Sequence, residues 1–216
     1  MTTYSFDWRA HVLVMAKAPV PGMVKTRLCP PLTYRQAAEV AEAALADTLE
    51  AVAGCGAARK VVALDGAPGP WLPPGFEVIP QRSGTLDRRL AGAWRDVGGP
   101  GLQIGMDTPQ VTAGLLDRCL EATFEPGITA SLGLASDGGW WAIGFALGWG
   151  ADMFSGLPMS SRVTGQAQLR RLIGAGHTVA RLPELDDVDR VEDACHVARL
   201  APGGSFAQVV REVLAG

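Results

Sequence analysis

The sequence predicts an α/β fold, a three-layer α/β/α sandwich around a mainly parallel, Rossmann-like sheet. Three observations point there. Short apolar runs that read as buried strands alternate with amphipathic helical stretches along most of the chain. The first run, His11 to Met15, leads into a basic Gly/Pro loop and then a long helix, the layout in which α/β proteins bind phosphates. A later run, Leu102 to Met106, ends directly on a carboxylate, Asp107.

The elements follow in order. Apolar residues at Ala37, Val40, Ala41, Ala44, Leu45, Leu49 and Val52 recur at helical spacing, so a helix is expected from about Thr33, its N-cap, to Ala53, with Gly54 and Gly56 ending it. Lys60 to Leu64 reads as the next strand. The loop Asp65 to Gly75 holds four Pro and three Gly. Phe76 to Pro80 reads as a short strand and Thr85 to Val97 as a helix. Thr112 opens a helix reaching about Thr123. Ile128 to Leu134 and Trp140 to Leu147 are strand-like and joined by Ala135-Ser136-Asp137-Gly138-Gly139, a hairpin or tight crossover that adds an antiparallel strand. Arg162 to Ala175 reads as helix, His177 to Leu182 as strand, and Val191 to Leu200 with Phe206 to Leu214 as closing helices.

Composition narrows the function classes. With 216 residues, 48% apolar and 19% charged, the chain fits a single soluble domain over residues 11–216 behind a polar lead-in, residues 1–10. A formal charge of -3 gives no reason to expect nucleic acid or an acidic membrane as partner. No stretch approaches the roughly 18 apolar residues of a spanning helix, and the N-terminus is unlike a signal peptide. Cys29, Cys55, Cys119 and Cys195 form no C-x-x-C pair and suit reduced thiols, so the expected location is cytoplasmic.

Five segments could carry chemistry. In the opening loop, Lys17 sits at the strand end, Gly22 in the turn, and Lys25 and Arg27 nearer the helix. Backbone N–H groups of such a turn, rimmed by cations, make an anion site; a solvated basic loop would show the same pattern. Asp107, just past a central strand, is placed to hold a divalent cation beside a diphosphate, although Asp before Thr108-Pro109 is also an ordinary turn former. Asp189, in Leu185-Asp186-Asp187-Val188-Asp189, stands before a helix, and spacing alone favours a cap there over a metal ligand. Asp137 with Gly138 and Gly139 is a hairpin signal, and Trp140 and Trp141 offer an aromatic wall for an acceptor. Gln81, Ser83, Gly84 and Thr85 follow a strand and open a helix, as base- or ribose-contacting groups or simply as caps.

The stretches AKAPVPGMVKTRL, GMDTP, DGGWWAIG and LDDVDRVED, in this order, resemble the nucleotide-diphospho-sugar transferase superfamily with the GT-A fold. They are most similar to a bacterial GT-A-like glycosyltransferase family, with features of the 2-phospholactate and molybdenum-cofactor guanylyltransferases. The resemblance covers about Val12 to Leu200. It implies that Lys17, Gly22, Lys25 and Arg27 surround nucleotide phosphates, and that Asp107, with Asp189 as a second ligand, holds Mg²⁺ or Mn²⁺. It also implies that Gln81 to Thr85 lie near the base or ribose, and Asp137 with Trp140 near a small-molecule acceptor. Asp87 stands where the family pattern has Gly.

The activity so implied is metal-dependent transfer from a nucleotide-activated donor, first a nucleotide sugar. Lys25 and Arg27 would offset charge on the leaving diphosphate, and Asp137 would serve as the acceptor's base. The alternative is nucleotidyl transfer (guanylyl or cytidylyl) to a phosphorylated small molecule with release of pyrophosphate. A third reading is an inactive nucleotide-binding regulatory module.

Overall fold

The computed structural model describes residues 10–148 and 150–215, so nearly all of the expected lead-in lies outside the described residues. Seven strands form one sheet in the order β3-β2-β1-β4-β6-β5-β7. They are β1 (His11–Lys17), β2 (Arg59–Asp65), β3 (Glu77–Pro80), β4 (Gly101–Gly105), β5 (Ala130–Ala135), β6 (Trp140–Phe145) and β7 (Val179–Leu185). β1 pairs in parallel with β2 and β4, while β6 runs antiparallel to both β4 and β5. The chain therefore leaves β1 in one direction along the sheet, through β2 and β3, and returns to its other side at β4. A crevice opens at the carboxyl ends of β1 and β4, where ligands of open α/β sheets bind.

Alternation along β1 decides the layers. Val12, Val14 and Ala16 pack under α1 (Tyr34–Gly54) and α3 (Ala113–Thr123). Leu13 and Met15 point the other way, towards α2 (Leu86–Val97) and α4 (Thr164–Gly174). α1 is rich in alanine because both of its faces are buried. Ala41, Leu45 and Leu49 meet the sheet, while Ala37, Val40 and Ala44 meet α5 (Val191–Leu200) and α6 (Ser205–Ala215). Thr33 and Gln36 close a capping box at its start. Asp47 in mid-helix accepts the N–H groups of Ser205 and Phe206 at 3.0 and 2.8 Å, capping α6 from the side.

Most element limits match the sequence pattern, with one clear displacement. The strand expected over His177 to Leu182 begins instead at Val179 and runs to Leu185. His177 is held outside it by a 3.1 Å bond between Nδ1 and Thr129 Oγ1. Pro183, which argues against a strand, is accepted because β7 is the sheet's edge and needs no donor on its outer side. The Asp137 turn is the expected hairpin, between β5 and β6. Among the described residues all four cysteines are free thiols, and no helix is long and apolar enough to cross a membrane.

Candidate active site

Three chain segments meet at the carboxyl ends of β1 and β4: the loop after β1, the turn after β4, and the connection from β7 to α5. Lys25 joins them. Its ammonium pairs with Asp107 Oδ1 at 2.6 Å and donates to the carbonyl of Val188, while Val188 N–H donates to the Asp107 carbonyl at 3.0 Å. The Lys25 side chain is only 7% exposed, which sets it apart from the solvated lysine of an ordinary basic loop. Its backbone is left-handed, φ 47°, a conformation costing a non-glycine residue roughly 1 kcal/mol and common at functional sites.

Arg27 adds a second contact to the same connection, donating to Asp189 Oδ2 at 2.7 Å. Asp189 is not the cap of α5. Arg190 stands at the N-cap, and Asp193 in the first turn reaches back to accept the N–H groups of Asp189 and Arg190 at 3.2 and 2.8 Å, while the Asp189 carboxylate faces Arg27. Lys17 lines the same side of the crevice as Lys25 and Arg27, beside Asp107 and Asp189, in a pocket of about 260 Å³. Gly22, at φ 78°, turns the loop and is not part of that wall.

A larger cleft of about 490 Å³ opens on the far side of the carboxylates. Arg27, Met106, Asp107 and Asp189 line both spaces, so these four residues stand between them. Asp137 lines the larger cleft and shapes its own turn, Oδ1 accepting Gly139 N–H at 2.7 Å. Gly138, at φ 92°, has the loop of Arg162 so close that a Cβ would collide with the Arg162 carbonyl. The hairpin and the loop before α4 are therefore fixed against each other. The two tryptophans diverge. Both line the cleft, but Trp140 packs 6.1 Å from Phe154, whereas the buried Trp141 donates its indole N–H to Pro183 across the sheet at 2.8 Å.

Asp187, which the sequence shows only as part of an acidic run, also lines the larger cleft. Burial, reinforced by Asp107, Asp137 and Asp189, pushes its carboxyl up to about 8, and Lys25 only partly offsets this. Four carboxylates thus act on one region. Its only sequence signal is its place inside an acidic run that also looks like helix capping.

The segment after β3 approaches the larger cleft only at its end, where Leu86 lines it. Gln81 donates to the carbonyls of Ala16 and Ala63 at 2.7 and 2.8 Å and accepts from Arg89 at 2.8 Å, so its amide is committed to joining β1, β2 and α2. Gln81, Ser83, Gly84 and Thr85 line neither cleft. Asp87, unusual by resemblance, accepts the N–H of Gly156 at 2.9 Å and ties the segment after β6 to the start of α2.

Residues 36–161 match DUF2064, described as an uncharacterized protein conserved in bacteria. The chain belongs to the DUF2064 family. No curated protein sequence matches it. Among solved structures, this DUF2064 protein is similar to one from Desulfovibrio desulfuricans G20 named for the nucleotide-diphospho-sugar transferases, at 25% identity and TM-score 0.83, with 96% of each chain covered. It also shares its fold with 2-C-methyl-D-erythritol 4-phosphate cytidylyltransferase from Thermus thermophilus, at 20% identity and TM-score 0.54, covering 89% of this chain and 98% of that one. Rv0371C from Mycobacterium tuberculosis H37Rv, in complex with manganese, aligns at 19% identity and TM-score 0.52, over 88% and 97% of the two chains. The DUF2064 chain therefore has the architecture of transferases that use nucleotide-activated donors.

Proposed function

We propose that this protein is a divalent-metal-dependent transferase acting on a nucleotide-activated donor. One observation carries the reading: Lys25 and Arg27 meet Asp107 and Asp189 where the two spaces join. The donor's phosphates would lie against Lys17, Lys25 and Arg27, and the acceptor in the larger cleft.

The donor set suits Mg²⁺ or Mn²⁺. Among the described residues no three His, Cys, Asp or Glu side chains form a ready metal cage. That agrees with a cation held by one or two carboxylates and completed by substrate phosphates, as Mg²⁺ commonly is. Asp107 and Asp189 would hold it, with Asp187 beside them, and the manganese complex of the M. tuberculosis neighbour is in keeping. When bound, the metal would draw charge from the phosphates and orient them. The chain's own residues do the rest. Lys25 and Arg27 stabilise charge building on the leaving group, and the carboxylates exclude other anions from the larger cleft.

Of the two transfer chemistries, the paired spaces favour nucleotidyl transfer. An acceptor oxygen would enter from the larger cleft and bond to the α-phosphorus, while the bond to the bridging oxygen breaks and pyrophosphate leaves on the cationic side. Asp137, which lines that cleft, would take the acceptor's proton. Glycosyl transfer is favoured by the name of the D. desulfuricans neighbour. A thermal-shift panel of nucleoside triphosphates and nucleotide sugars, with and without Mn²⁺, tests both. Metal-dependent stabilisation by GTP or CTP with pyrophosphate release supports the first, and stabilisation by a nucleotide sugar alone the second. No response to any nucleotide would remove both.

A further inference from the structure

We propose that Gln103 is the specificity-determining residue of the larger cleft, reading a cis-amide edge, a lactam- or imide-type N–H beside its C=O, on the substrate bound there. The inference rests on the cleft being a substrate site of the proposed transferase.

Gln103 lies in the middle of β4, fully buried, and neither its amide nitrogen nor its amide oxygen has a partner among the described residues. Nearly all buried polar side-chain atoms are hydrogen-bonded, so an amide with both ends free needs a partner. Alternation puts Gln103 on the same face of β4 as Gly105, and the register sets it beside Leu13, two residues from Met15 on that face of β1. Gln103, Gly105 and Met15 all line the cleft. Gly105 leaves the strand open two residues along: a Cβ there would meet nothing nearer than the Asp107 nitrogen at 3.9 Å, so the cleft floor beside Gln103 is not filled by its own strand.

Other unpaired buried groups of this layer, the His11 ring, the Trp94 indole N–H and the Gln168 amide oxygen, lie elsewhere. His11 and Trp94 pack against each other at 5.0 Å near the amino end of β1, and none of the three lines the cleft. Gln103 is therefore the one fully buried, unpartnered side chain in the cleft wall among the described residues.

Its surroundings define the ligand. Met15, Leu90, Trp140 and Met159 give apolar walls, suited to the body of a ring. A carboxamide presents a donor and an acceptor side by side, and the group that matches both at once is a cis-amide edge. A substrate lacking it would leave the Gln103 amide buried and unpaired, and sites of this kind reject such analogues strongly.

The test uses pyrrolidin-2-one as the probe and N-methylpyrrolidin-2-one, which lacks the N–H, as its control. The Gln103 side-chain NH₂ signals are assigned in ¹H–¹⁵N spectra by their loss in Gln103→Leu. Pyrrolidin-2-one should shift them in a saturable way, at least tenfold more tightly than the N-methyl control. Adding saturating GTP, CTP or UTP with Mn²⁺ separates the two sources of such an edge: a nucleobase displaces the probe, and an acceptor site leaves it bound. Gln103→Leu and the longer Gln103→Met should melt no lower than wild type; both should bind more weakly any nucleotide that displaces the probe, and should keep the wild-type response to a nucleotide that leaves it bound. Gln103 signals unmoved by the probe, equal responses to both lactams, or a marked fall in melting temperature in both variants would overturn the proposal. If wild type answers the lactam but no nucleotide, the transferase reading fails and the Gln103 site stands.

Discussion

Replacing Lys25 by Met should expose how strongly the acidic cluster depends on one cation. Lys25 is almost fully enclosed and pairs at 2.6 Å with Asp107, which is itself 43% exposed. Breaking a fully buried pair costs roughly 3–5 kcal/mol. Solvent reaches Asp107, so the expected cost is lower, about 2 kcal/mol. For a chain of this length that corresponds to a fall of about 4 °C in Tm. The loss comes mainly from stranding Asp107 among Asp187, Asp137 and Asp189, so Asp107→Asn added to Lys25→Met should recover about half of it. Mn²⁺ should also raise the Tm of Lys25→Met more than that of wild type, because the metal then supplies the missing positive charge. Differential scanning fluorimetry of the four proteins, with and without Mn²⁺, reads both effects. Strict additivity of the two substitutions, with equal Mn²⁺ shifts, would refute the electrostatic account of the cluster.

Other expectations follow from the same contacts. Arg27 and Asp189 are largely exposed, so Arg27→Ala should change stability by less than about 1 kcal/mol yet weaken nucleotide binding in calorimetry. Gly138→Ala combines a left-handed backbone with a collision at the Arg162 carbonyl, and should cost about 2–4 kcal/mol in urea unfolding. Burial, with Arg59 nearby, holds the His11 imidazole down at about 4, against 6.5 when unfolded. The unfolded chain therefore binds the extra proton first: stability is full above pH 6.5 and falls as the pH drops to 4, by up to about 3 kcal/mol. His11→Leu should flatten that part of the pH–stability curve.

How far the site could be read from the sequence depended on what kind of signal each residue gave. The place of the opening loop was legible because glycine, proline and three cations follow directly on an apolar run, and that of Asp107 because it ends a strand. The burial of Lys25 was not legible, since it is created by Val188 and Asp107, distant in sequence. Capping and ligand roles for Asp189 could not be separated until Arg190 was seen at the N-cap with Asp193 reaching back to it. Gln81 to Thr85 sit correctly after β3, but a glutamine there serves equally well to tie strands together. Gln103 carried a local signal that pattern reading passes over: one amide inside a strand whose neighbours Leu102 and Ile104 are fully apolar.

The central claim is that Asp107 and the cations of the opening loop form one metal-assisted nucleotide site. Calorimetric titration of GTP and CTP into wild type and Asp107→Asn, each with and without Mn²⁺, tests it most directly. The account predicts that Mn²⁺ tightens binding of at least one nucleotide to wild type by tenfold or more, and that Asp107→Asn loses this gain while folding normally. Nucleotide affinity unaffected by Mn²⁺, or a metal effect undiminished in Asp107→Asn, would contradict it.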